Sequence, residues 1–425
     1  MESKVNLMRL LPSLSAVPAL GVASLAAALL VGCGGSDSGT ETSNAAPANA
    51  GSTATAETRT AEVTLPTASI GNTAQPAAEA EPAATGTQGV IEQITTLMRQ
   101  PLAGAEGADD PKRIPQLIKQ RNKTIVDMAS RGVLLAHKNN ESDEVMHQLV
   151  QRLSEARLQL ALQGDQDEAE SLYSDADVLQ EQHPGSKAAM EASYAVVRFA
   201  NTNAMRYSQN NTEWITEFAR RARTFCEAFP SEQAKTLPLL LAAGKSCEGY
   251  NLTEEAKLCY AQILEQYPDT PQGEQAKGVL RRLSLTGQTL KFGGATYGGE
   301  FFNINQNRGK VTAIVYWNSH IGGIQETLKK IDTITSKYED SQLQVIGVSL
   351  DDEELQLEVA VGDAGISWPQ LFDPDASKRG WQHPVVKYYG VLNVPSIWLV
   401  DANGTVVSTN TSEADLETKL AELIK

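Results

Sequence analysis

Cysteine is scarce in this chain. There are four among 425 residues, Cys33, Cys226, Cys247 and Cys259; no two are separated by only two residues, and none follows Cys259. This excludes a disulfide-scaffold fold. The five histidines are scattered rather than clustered, so no zinc-ligand spacing is present and no metal or cofactor is expected. Basic residues are also in deficit, with 36 Lys and Arg against 52 Asp and Glu and a net charge of −16. Such a surface repels a polyanion, and no basic stripe interleaved with aromatics offsets it, so nucleic acid is not an expected partner. What remains is a length sufficient for two or three domains, each with its own core.

Long apolar runs are missing except near the start. Lys4 and Arg9 precede Leu10 to Val31, which Pro12 and Pro18 interrupt, the pattern of a signal peptide rather than a spanning helix. It ends in Leu30-Val31-Gly32-Cys33, which resembles the bacterial lipoprotein box. The resemblance implies removal of residues 1–32 and lipidation of the exposed Cys33. Two or three acyl chains, at about 0.8 kcal/mol per buried methylene, would hold the protein on a membrane. Gly34 in place of aspartate implies the outer membrane and a cell-envelope location. Residues 34–88 are almost entirely Gly, Ser, Thr, Ala, Pro and Glu, too polar to bury a core, and are expected to be a disordered tether. As a coil that segment would span about 40 Å.

From 89 to 286 the apolar residues take up helical spacing. Met146, Leu149, Leu153, Ala156 and Leu160 make one face before Gly164, and Ala169, Leu172, Tyr173, Ala176 and Leu179 make the next, with Asp167 as its expected cap. Ile118, Ile125, Ala129 and Val133 mark an earlier helix, placed after a loop from Gly104 to Pro111. Three pairs end successive periodic segments: His183-Pro184, Phe229-Pro230 and Tyr267-Pro268. Their intervals of 46 and 38 residues fit a helical-hairpin repeat. The segment from Glu255 to Leu280 resembles a tetratricopeptide repeat, which implies a concave surface for an extended peptide or partner protein; packing alone is the competing reading. Cys247 and Cys259 flank the turn at Asn251 and are the candidate disulfide, with a core of free thiols as the alternative.

From 287 to 425 strands and helices alternate. Val311 to Trp317 is a β-rich run, followed by Asn318-Ser319-His320 and a helix expected from Ile321 to Tyr338. Leu343 to Leu350 is a second strand, and Asp351-Asp352 are the expected caps of the helix that follows. Gly390 to Ser396, a hairpin turning at Asn403-Gly404 and a closing helix from Ser412 complete the set. The order resembles TlpA-like and peroxiredoxin-like thioredoxin domains. The expected architecture is therefore α plus α/β, a helical-hairpin repeat region followed by a thioredoxin-like three-layer domain.

In that family Trp317 would precede the two cysteines of the redox turn by four and seven residues. Here those positions are Ile321 and Ile324. No thiolate is available to attack a disulfide and no second thiol to resolve the mixed intermediate, so the turn carries no catalytic residue of the family. Pro395 stands where the family keeps a cis proline. Trp317, His320, Ile321, Ile324, Val394 and Pro395 are the candidate binding groove, with Trp317 as its wall and His320 as a turn residue; Trp368 and Trp381 are read as packing or rim residues. The expected function is a redox-inactive, envelope-anchored module for a protein or peptide partner. The alternative is a thiol-disulfide oxidoreductase or antioxidant protein using non-standard cysteines or a partner's.

Overall fold

The computed structural model describes residues 86–102 and 110–424. The signal peptide, Cys33 and nearly all of the tether lie outside the described residues, as does most of the loop from Gly104.

Nine helices are described before the first strand: α1 (Thr87–Arg99), α2 (Ile114–Lys138), α3 (Asp143–Leu162), α4 (Gln166–Gln182), α5 (Lys187–Tyr207), α6 (Glu213–Ala228), α7 (Gln233–Gly249), α8 (Thr253–Gln266) and α9 (Pro271–Leu283). Each packs on the next, and alternate helices also touch, α3 on α5 and α6 on α8. This is the geometry of stacked antiparallel hairpins. The apolar stripes face inward as their spacing predicts: Leu149, Leu153, Ala156, Leu160, Ile215, Phe218, Tyr260 and Ile263 are all buried.

The residues before the three prolines explain the periodicity. His183, Phe229 and Tyr267 end α4, α6 and α8 with nearly the same backbone, φ −135°, −133° and −134° with ψ 58°, 60° and 49°. The residue before a proline is driven out of the helical region. Each hairpin therefore ends the same way. The cap of α4 is Asp165 rather than Asp167, which sits inside the first turn where its charge still favours the helix N-terminus.

The C-terminal part contains a short hairpin, β1 (Gly293–Ala295) with β2 (Phe301–Asn303), and then β3 (Val311–Trp317), α10 (Ile324–Thr335), β4 (Leu343–Ser349), α11 (Glu354–Ala364), β5 (Gln370–Leu371), α12 (Pro384–Tyr389), β6 (Ser396–Val400), β7 (Val406–Thr411) and α13 (Glu413–Leu423). The main sheet runs β5-β4-β3-β6-β7. β4 is parallel to β3 and β5, while β6 is antiparallel to β3 and β7. Its two faces divide the side chains of β3 by alternation. Ile314 and Tyr316 pack with α12 and the N-terminal hairpin, whereas Val311, Ala313, Val315 and Trp317 pack with α10, α11 and α13. This is a thioredoxin-like three-layer fold.

α10 starts three residues later than the spacing suggests and stops at Thr335 rather than Tyr338. Gly323, at φ +79°, lies in the left-handed region and cannot continue a helix. α11 starts at Glu354 with no side-chain cap, because Asp351 is turned inward instead.

The helical region and the sheet domain meet backbone to backbone. A Cβ on Gly278 of α9 would lie 2.7 Å from the Gly390 nitrogen and 2.8 Å from the Lys387 carbonyl oxygen, at the end of α12. Arg282 donates from Nε to the Gly390 carbonyl at 3.4 Å and pairs with Glu248 of α7 at 2.7 Å. Arg281 donates to the Tyr388 carbonyl and stacks on its ring at 3.8 Å. Gly278→Leu should therefore loosen this junction at a cost of about 1–3 kcal/mol. The expected readout is a lower melting temperature together with faster proteolysis near Ser284–Thr289; unchanged values for both would show that the close approach is not needed.

Candidate functional site

The site is built where β3 and β4 end side by side. Their parallel register pairs Trp317 with Ser349, so the residues that follow each strand emerge together at the carboxyl edge of the sheet. The Leu350 amide donates to the Trp317 carbonyl at 2.8 Å, and Asn318 Nδ2 donates to the Leu350 carbonyl at 2.6 Å. Asp351 then points into the turn and is fully buried.

Its carboxylate accepts from the Ser319 amide at 2.8 Å and the Ser319 hydroxyl at 2.7 Å through Oδ1, and from the Ser349 hydroxyl at 2.9 Å through Oδ2. Three donors satisfy a polar group that burial would otherwise penalise. Asn318 Oδ1 accepts from the His320 amide at 2.9 Å, a local Asx turn that sets the direction of the chain. His320 is exposed, with Nδ1 at 4.0 Å from Asp351 Oδ1 and 3.2 Å from Asn318 Oδ1. Sequence separation hid this acidic neighbour of His320; the signal for it was an Asp directly after a strand parallel to β3.

The remaining candidates separate into two groups. Ile321 and Val394 are half-buried and Pro395 is exposed. The Tyr316–Ser396 pair of β3 and β6 sets Pro395 beside the end of β3, and the Val394–Pro395 bond is cis, as the resemblance implies. Trp317 and Ile324, in contrast, are 0% and 1% exposed. Trp317 is therefore not a groove wall. As the last residue of β3 it keeps the pleat and enters the core, where its indole Nε1 donates to Gln370 Oε1 at 2.9 Å. Gly347 makes this possible, since a Cβ there would lie 1.8 Å from Gln370 Oε1.

Trp368 is buried and donates to Asp332 at 3.1 Å, whereas Trp381 is exposed. Trp381 and Tyr388 line a cleft of about 750 Å³ between α9 and α12, away from Ile321 and Pro395. The thiols of Cys226, Cys247 and Cys259 are all free and buried in the helical region. Among the described residues no group of three or more Cys, His, Asp and Glu could hold a metal ion, and no helix is long and apolar enough to cross a membrane.

Residues 286–409 match the AhpC/TSA family. Thiol-disulfide oxidoreductase ResA of Halalkalibacterium halodurans is 22% identical over 129 residues, which cover 30% of this chain and 69% of that protein. Among solved structures, the thioredoxin domain of a thiol-disulfide oxidoreductase from Bacteroides vulgatus is 20% identical, covering 33% of this chain and 98% of that one, with a TM-score of 0.30. A thiol:disulfide interchange protein from Chlorobium tepidum is also 20% identical, with coverages of 33% and 98% and a TM-score of 0.29. The C-terminal part of the chain thus carries a redoxin domain, joined to a helical region that precedes it.

Asp351→Ala would remove the acceptor of three donors, the Ser349 hydroxyl buried and the two of Ser319 half-buried, and should cost about 2–4 kcal/mol in denaturant unfolding. Asp351→Asn, which keeps one acceptor, should cost less. An alanine variant within about 0.5 kcal/mol of the parent, the usual effect of a surface change, would show that the carboxylate does not hold the turn.

Proposed function

We propose that this chain acts in thiol-disulfide chemistry at the cell envelope as a redoxin-fold protein whose exchanging sulfur is supplied by another protein. Kinship favours the oxidoreductase side over a module unconnected with redox chemistry, because the family match and the named relatives are of that kind. The turn sets the limit. Its frame is complete, with Asp351 holding Ser319 and Gln370 holding Trp317, yet both sulfur positions are isoleucine. That combination is the observation that carries the proposal.

In this reading the redoxin domain presents His320, Ile321, Val394 and Pro395 to a thiol-bearing partner and contributes binding, not electron transfer. The three thiols of the helical region are fully buried and do not serve a protein disulfide. A purely inert peptide-binding module is the second reading, favoured by the two isoleucines alone. The hairpin array as a tetratricopeptide-like surface for the same partner, the lipid anchor at Cys33 and an outer-membrane location belong to the same proposal.

Insulin disulfide reduction by the full chain tests it. The parent should show no turnover alone, and Ile321→Cys with Ile324→Cys should gain it, at some loss of stability because Ile324 is a core residue. Parent turnover that disappears when Cys226, Cys247 and Cys259 are changed to serine would instead assign the chemistry to the helical region. The anchor is tested by fractionation: Cys33→Ser should move the protein from the membrane to the soluble fraction, and an unchanged membrane fraction would refute lipidation.

A further inference from the structure

Two of the three buried thiols stand together. Cys247 is in the last turn of α7 and Cys259 in the middle of α8, the two arms of one hairpin joined at Asn251, which adopts φ +58°. Both residues are 0% exposed and belong to one apolar core cluster, and Tyr260, next to Cys259, donates its hydroxyl to Glu248, next to Cys247, at 2.8 Å. A cation is aimed at one of them: Arg223 of α6 donates from Nη1 to Cys259 Sγ at 3.8 Å and to Glu255 Oε2 at 2.8 Å. Cys226 has a different neighbourhood, with its sulfur 3.8 Å from the Tyr267 hydroxyl.

The two thiols are not equivalent. The hydrogen bond from Cys247, with Arg223 in support, holds Cys259 below the usual thiol range although burial opposes it. The same hydrogen bond, followed by burial, pushes Cys247 up. A thiolate-prone sulfur beside a protonated one is the arrangement of a nucleophile and its resolving partner. Sequence spacing alone could mark the pair as neighbours but could not supply Arg223.

We propose that Cys247 and Cys259 form a redox-responsive dithiol, with Cys259 as nucleophile, Cys247 as resolving thiol and Arg223 as positioning residue. This inference is independent of the proposed function of the redoxin domain. Because neither sulfur reaches the surface, the oxidant is small, a hydroperoxide such as hydrogen peroxide. The Cys259 thiolate attacks one peroxide oxygen and the O–O bond breaks. Hydroxide leaves, takes up the proton released by Cys259 and becomes water, giving a sulfenic acid. Cys247 then loses its proton and attacks the Cys259 sulfur. The S–O bond breaks, and the departing hydroxide takes the proton as a second water. The two thiols are oxidised by two electrons and the peroxide is reduced to two waters. The product staples α7 to α8, next to Glu248, whose ion pair with Arg282 leads to the junction at Gly390.

The test uses the full chain, reduced, desalted and exposed to hydrogen peroxide, then denatured, alkylated and mapped by mass spectrometry without reductant. A cross-linked peptide joining Cys247 to Cys259, with Cys226 still alkylated, is the expected result. Cys247→Ser should leave Cys259 as a sulfenic acid trapped by dimedone. Arg223→Gln should slow cross-linking about tenfold, because the thiolate loses the cation beside it, with Arg223→Lys in between. Cys226→Ser should leave the cross-link unchanged and serves as the folding control. Full alkylation of Cys247 and Cys259 in the peroxide-treated parent, or a cross-link that includes Cys226, would overturn the proposal. An Arg223→Gln rate equal to the parent's would overturn the role of Arg223.

Discussion

The burial of the Asp351 carboxylate fixes the geometry of the whole carboxyl edge of the sheet. A fully buried carboxylate must be matched by donors, and here the Ser319 amide and hydroxyl and the Ser349 hydroxyl provide them. The donors come from β4 itself and from the turn after β3, so the bond set ties two chain segments that are adjacent only because the strands run parallel. In an active thioredoxin a pair of cysteines occupies the turn. In this chain the same turn is shaped by a carboxylate below it and an Asx turn at Asn318. The isoleucines complete it from the other side: Ile324 enters the core with Leu328 and Ile331, and Ile321 covers it. The result is a redoxin frame without its sulfur.

A second constraint joins the two parts of the chain. Gly278 and Gly390 let α9 and α12 approach at backbone distance, and Arg281 and Arg282 cap the carbonyls at that contact. Glu248 extends the link into α7, one residue from Cys247. The final hairpin is thus connected on one side to the dithiol and on the other to the redoxin domain, through named polar contacts and not through apolar packing alone.

Much of this was legible in the sequence. The alternation of Val311 to Trp317, the apolar run from Leu343 and the Asn-Gly turn placed the strands in order, and the repeated residue before proline placed the hairpin ends. These are local signals, governed by neighbours along the chain. The illegible part depends on contacts between distant segments. Asp351 looked like a helix cap because aspartate after a strand is usually read locally. Trp317 looked like a groove residue because its place beside the turn is visible in sequence, while the side of the sheet it faces depends on register. The glycine contact between α9 and α12, more than 100 residues apart, left no sequence pattern.

The claim on which the account turns is that a buried carboxylate, in place of a disulfide, keeps the Ser319 turn in its redoxin shape. Amide hydrogen exchange at Ser319 in the full chain measures this directly, because its N–H donates to Asp351 rather than to another backbone group. The Ser319 amide should be protected nearly as well as the amides within β3, and that protection should be lost in Asp351→Ala. Exchange at the rate of an exposed loop in the parent protein would contradict it.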